Sequence, residues 1–89
     1  MKKIREYPWV DDNDGAAGGH QKTTFKLTEQ ELGWLEEDEK EGRFWHGCMD
    51  MLNLSEYYGG PGARFERYYF KLNEKTRCLT VTHYVGLDI

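Results

Sequence analysis

The chain has 89 residues, of which 31% are charged and 38% hydrophobic, and its net charge is −4. This length makes one domain, 1–89, that buries only about 60–65% of the surface its unfolded form exposes. No apolar run is long enough to span a bilayer, and the basic start Met1-Lys2-Lys3 lacks the apolar stretch of a secretory signal. Cys48 and Cys78 are too few for a disulfide scaffold, so the expectation is a cytoplasmic protein with reduced thiols and no membrane association.

Leu, Ile, Val and Phe total only 17, close to the level at which disorder becomes a concern. Thirteen Trp, Tyr and Phe rings offset this, since each buries about 150–250 Å². The core is therefore expected to be built largely from rings. In chain order, Lys2 to Tyr7 reads as a short strand ended by Pro8. Residues 11–20 carry turn formers with no period, which predicts a mobile Gly/Asp-rich loop. Two patterns there fail on closer count. Asp12-Asn13-Asp14-Gly15 lacks the first and last ligands of a calcium loop, and Gly15 to Thr23 lacks the Gly-Lys-Thr of a phosphate loop. Lys22 to Leu27 then alternates, with Thr23, Phe25 and Leu27 on one side and Lys22, Thr24 and Lys26 on the other. That is a half-buried strand.

Thr28-Glu29-Gln30-Glu31 is a capping box, flanked by Leu27 and Leu32 at the staple positions. It predicts a helix over 29–41 with Leu32 and Leu35 inward, Trp34 beside them and Gly42 as its stop. Phe44, Cys48, Met51 and Leu52 recur at helical spacing, which predicts a second, irregular helix over 44–58. Gly47 interrupts it, and Gly59-Gly60-Pro61-Gly62 ends it. Arg64–Leu72 and Arg77–Val85 read as a C-terminal β-hairpin. The best separation of faces puts Phe70 opposite Leu79, Tyr68 opposite Val81 and Glu66 opposite His83. Phe65, Arg67, Tyr69, Lys71 and Tyr84 then share the other face. The fold class is α+β, an antiparallel sheet of three to four strands carrying these helices.

Charge is segregated along the chain. Residues 29–42 carry seven acids against Lys40, and residues 64–77 carry five cations against two acids. Anions are unfavourable at a helix C-terminus, yet Glu36, Glu37, Asp38, Glu39 and Glu41 gather there. The functional reading is an acidic patch that docks a basic surface on another protein. The plain reading is a solvated face partly neutralised by Arg43 or by the basic hairpin. The other hairpin face, with Phe65, Arg67, Tyr69 and Tyr84, has the make-up of a stacking platform for single-stranded nucleic acid. A protein interface, with these rings as anchors beside the acidic helix end, or a surface covered by the second helix or the N-terminus, is the preferred reading. The acidity of the whole chain weighs against direct nucleic-acid binding.

His20, His46, Cys48, Cys78 and His83 match zinc ligands by type but not by spacing, so no metal or cofactor is expected. Glu66 and His83 form the single acid–base pair that the register places. No nucleophile or oxyanion donor accompanies it, so it predicts a cross-strand contact before it predicts catalysis. The expectation is a non-catalytic, cytoplasmic protein-binding module that occupies a basic surface of its partner. Where that partner is a nucleic-acid enzyme, the module would inhibit it as a mimic of nucleic acid. The alternatives are a single-stranded nucleic-acid binder through the hairpin face, and a small-ligand binder or enzyme around Glu66 and His83.

Overall fold

The alternating segment after the Gly/Asp-rich region becomes the sheet's organising strand. A computed structural model describes residues 1–12, 18–60 and 62–87. In it, β3 (Gly19–Lys26) lies between β1 (Lys2–Glu6) and β6 (Cys78–Leu87), and β6 pairs in turn with β5 (Arg64–Asn73). Two further strands of two residues each, β2 (Val10–Asp11) and β4 (Tyr57–Tyr58), extend the edges along β3 and β5. All pairings are antiparallel, and the sheet has six strands, not three to four. The two extra strands are too short to show any period, so pattern alone cannot find them. Val10 pairs with His20 and Asp11 with Gly19, so strand invades both ends of the predicted 11–20 loop. Residues 13–17, with most of the calcium-loop pattern and the first three residues of the phosphate-loop pattern, lie outside the described residues, as does Pro61.

Helix α1 spans Glu29–Lys40, and both halves of its capping box form. The Glu31 amide donates to Thr28 Oγ1 at 3.1 Å, and the Thr28 amide donates to Glu31 Oε1 at 2.8 Å. Glu31 Oε2 also accepts the N-terminal ammonium at 2.8 Å. Burial opposes its charge, but these hydrogen bonds outweigh it and hold its carboxyl below the usual range. Gly42, at φ 74°, closes the helix, with its amide donating to Glu39 O and the Arg43 amide to Asp38 O. That is the glycine-terminated ending the sequence predicts.

Helix α2 spans only Phe44–Met51, so residues 52–58 do not continue it. The reason is a second ending of the same kind. Asn53 takes φ 54°, its amide donates to Asp50 O, and the Leu54 amide donates to Met49 O. Asparagine tolerates the left-handed conformation almost as glycine does, and here it stops the helix before the Gly-Gly-Pro-Gly run. Gly47 is explained by close packing: a Cβ there would meet Asp38 Oδ2 at 2.0 Å and Asp38 Cβ at 3.2 Å. The residue that weakens α2 locally lets it lie against α1.

Both helices pack on one face of the sheet. Leu27, Leu35, Cys48, Leu79 and Val81 form the buried centre, with Phe25, Leu32, Phe44, Tyr68, Phe70 and Leu72 half-buried around it. The fully buried side chains are thus aliphatic or thiol, and the rings form a margin to the core instead of its centre. Trp34 is 54% exposed, contrary to an inward placement. At 3.6 residues per turn it projects about 100° from Leu35, far enough to leave the buried stripe.

The hairpin keeps the predicted faces but shifts its pairing by two. Asn73 pairs with Cys78, Phe70 with Val81, Tyr68 with His83 and Glu66 with Val85. A four-residue loop, in which Arg77 takes φ 54° and the Thr76 amide donates to Asn73 Oδ1, replaces the tighter turn expected. A shift of two preserves sidedness because strand side chains repeat every second residue.

Candidate functional site

The sheet has an inner face under the helices and an opposite, open face, which α2 borders only at the β5 edge, where Trp45 lines a hollow with Tyr58, Arg67 and Tyr69. Strand alternation puts Phe65, Arg67, Tyr69 and Lys71 of β5 on the open face with Thr80, Thr82 and Tyr84 of β6 and His20, Lys22 and Thr24 of β3. The N-terminal strand does not cover it, since β1 continues the sheet at its edge, and α2 lies at its β5 margin through Trp45. The corrected register seats Arg67 opposite Tyr84, Tyr69 opposite Thr82 and Phe65 opposite Gly86. A Cβ on Gly86 would meet the Phe65 ring at 2.7 Å, so this glycine is the seat on which the ring lies.

Phe65, Arg67, Tyr69 and Tyr84 line a hollow of about 420 Å³. Tyr69 meets Tyr84 edge-on at 5.3 Å, and Tyr84 in turn lies 5.1 Å from the His20 ring. The Arg67 guanidinium stands over the rings of Phe65 at 5.2 Å and Tyr58 at 5.9 Å. Beyond His20, a second hollow of about 460 Å³ is lined by Tyr7, Pro8, Val10, His20, Lys22 and Thr80. Arg5 lies over the Tyr7 ring at 4.2 Å. Six of the twelve cations, Lys2, Arg5, Lys22, Lys26, Arg67 and Lys71, belong to this face, and none forms an ion pair among the described residues. Among the described residues no strand position on the face is acidic, but Glu56 and Glu66 line a hollow of about 320 Å³ with Arg67 and Tyr69 at its β5 edge. Asp12 at its margin bonds His20 Nδ1 at 3.1 Å.

The acidic helix end is less uniform than its sequence. Arg43 pairs with Glu41 and lies 3.8 Å from Asp38, so two of the five acids share one cation. Asp38 is also half-buried against Gly47. Glu36, Glu37 and Glu39 form no ion pair among the described residues, and Glu37 and Glu39 are exposed. The hairpin loop neutralises the opposite end of α1 through Arg77 and Glu29 at 3.4 Å. Trp34 stands one turn before Glu37 and Asp38, an exposed ring at the edge of the acids.

Glu66 and His83 do meet, but diagonally: Nε2 of His83 lies 3.4 Å from Glu66 Oε1, which also accepts from Arg64 at 3.2 Å. His83 stacks on Tyr68 at 4.6 Å and lines a hollow of about 400 Å³ with Phe25, Leu52, Leu54 and Val81. The polar groups of that lining are those of Gln21, Thr23, Tyr68 and His83. Cys48 lies in the core, where burial, aided by the charge of Asp38, pushes its thiol up to about 12. Cys78 lies on the other side of the sheet. Among the described residues no three of His, Cys, Asp and Glu gather at metal-binding distance, and no helix is long and apolar enough to cross a membrane.

What sequence reasoning misses is the contribution of Arg5, Tyr7, His20 and Lys22 to the open face. The polar side of the 22–27 alternation is a signal for Lys22, but nothing in one strand tells which strand lies beside it. Comparison with family models, with curated proteins and with solved structures yields no match.

Proposed function

We propose that the protein is a non-catalytic binding module that docks a basic surface of another protein through the outer face of α1. The observation that supports this reading is Trp34: a tryptophan left 54% exposed beside acids, of which Glu36, Glu37 and Glu39 have no ion-pair partner among the described residues. Tryptophan is the ring most often found at the energetic centre of an interface. Rim carboxylates around it steer a basic partner into place and set the salt dependence of association. Where the partner holds nucleic acid, the same contact occupies its phosphate-binding surface and inhibits it.

The test is capture from a lysate of the source cells. One protein should be retained by the wild type and by Tyr69→Ala, and lost from both Trp34→Ala and the triple charge reversal E36K/E37K/E39K. A partner that both α1 variants hold as tightly as the wild type ends this reading.

A further inference from the structure

The open sheet face stands apart from α1, and its chemistry asks for a different ligand. We propose that this face binds single-stranded nucleic acid, with bases stacked on Phe65, Tyr69 and Tyr84 and the phosphate chain running over Arg67, Lys71 and Lys22.

Charge selects the class of ligand. Six cations with no ion-pair partner among the described residues favour a polyanion, and the carboxylates nearest them, Glu56 and Glu66, stand only at the β5 edge, where they line a hollow with Arg67. Four of the six are lysines, a residue depleted at protein interfaces but suited to diffuse phosphate contact. The acidity of the chain as a whole does not oppose this. The body measures 41 × 27 × 18 Å, so the α1 acids lie across its thickness from the open face. Their field is screened over about 8 Å at physiological ionic strength.

Geometry selects the single strand. Rings on an open sheet offer π-faces to bases, and a duplex hides its bases from them. Arg67 is held over Phe65 and Tyr58, so its guanidinium is positioned before any ligand arrives. The His20–Tyr84 contact joins the first hollow to the second, where Lys22 and Tyr7 repeat the pairing of a cation with a ring. Two such hollows on one face suit a run of nucleotides, not one nucleotide.

The test uses the full chain and fluorescently labelled dT and rU oligonucleotides of twelve residues, with a duplex of equal length as control. Single strands should bind in preference to duplex, and the affinity should fall as salt is raised. Tyr69→Ala should weaken binding about 5- to 150-fold, and Tyr69→Phe should restore most of it. R67Q and K71Q should each flatten the log–log salt slope by about 0.7. The triple reversal at Glu36, Glu37 and Glu39 should retain the oligonucleotide, which separates this proposal from the α1 reading. Circular dichroism checks that each variant is folded, and R67Q, at an exposed residue, remains decisive if Tyr69→Ala is not. The proposal is overturned by no binding at low salt, by equal affinity for duplex, or by folded Tyr69→Ala and R67Q proteins that bind like the wild type.

Discussion

The two sides of this thin molecule handle charge in opposite ways. On α1 the acids are close in sequence, and the structure moderates them locally: Arg43 serves Asp38 and Glu41, and Asp38 is pressed against Gly47. On the open face the cations come from β1, β3 and β5, and none of them is ion-paired among the described residues. A net charge of −4 therefore describes neither surface. The field that a ligand meets is set by which layer it approaches, and the layers differ in sign.

The comparison can be broken most sharply through the two cysteines, one on each side of the sheet. With its thiol pushed up to about 12, Cys48 is short of thiolate at pH 8 by about a thousandfold relative to an ordinary cysteine. Native protein should therefore react with a thiol reagent at one site, Cys78, and at the second only as it unfolds. Mass spectrometry of the modified peptides reads this directly. Rapid labelling of both would show that the helices do not seal the inner face.

Next in size is the layer contact itself. Leu35 of α1 and Leu79 of β6 are both 0% exposed and belong to the one buried cluster between helices and sheet. Leu35→Ala should cost about 2–5 kcal/mol in urea unfolding, which is a large share of the stability of a domain this small. A loss under 1 kcal/mol would mean that α1 is not anchored as described, and the contrast between two opposed faces would fail.

A smaller effect depends on pH. Glu31 holds its carboxyl below the ordinary value of 4.5, because hydrogen bonds from the N-terminal ammonium and Thr28 outweigh its burial. A depressed acid stabilises the fold above its unfolded value, and that contribution is lost as pH falls through the folded value. Glutamine keeps the capping geometry without the charge, so Glu31→Gln should be less stable than the wild type at pH 7. The gap should close below about pH 4.5. A constant gap down to pH 2 would assign the effect to packing alone.

How much of each face is legible in the sequence follows from how each is assembled. The α1 surface is local. Its capping box, inner leucines and acids can be read by counting along 28–42, and only the outward turn of Trp34 and the share taken by Arg43 need coordinates. The open face is assembled by topology. Its hairpin half is legible, since Phe65, Arg67, Tyr69 and Tyr84 alternate in their own strands. The added residues Arg5, Tyr7, His20 and Lys22 arrive through β1–β3–β6 pairing, which no local pattern specifies. The two-residue shift of the hairpin register has the same origin. It depended on one loop residue, Arg77, adopting a left-handed conformation that arginine has no special preference for. Sidedness survived because the shift was even, whereas the early end of α2 at Asn53 was a local signal that could have been read.

The smallest effect is the most pointed for function. A tryptophan that supports a core costs about 3–5 kcal/mol when cut to alanine. Trp34 is more than half exposed, lies outside the buried cluster, and occupies a helix position where alanine is the better former. Trp34→Ala should therefore change the unfolding free energy by less than about 1 kcal/mol. Tyr69→Ala on the other face loses its edge-on contact with Tyr84 and should cost about 0.5–1.5 kcal/mol, still modest. Chemical denaturation of both variants supplies the numbers. If Trp34→Ala proved as costly as a core deletion, its ring would be structural and α1 would lose the anchor that distinguishes a docking face from a merely solvated one. If both losses are small, each ring is held at a surface that the fold itself does not require. Selection for contact with something else is then the simpler account of both.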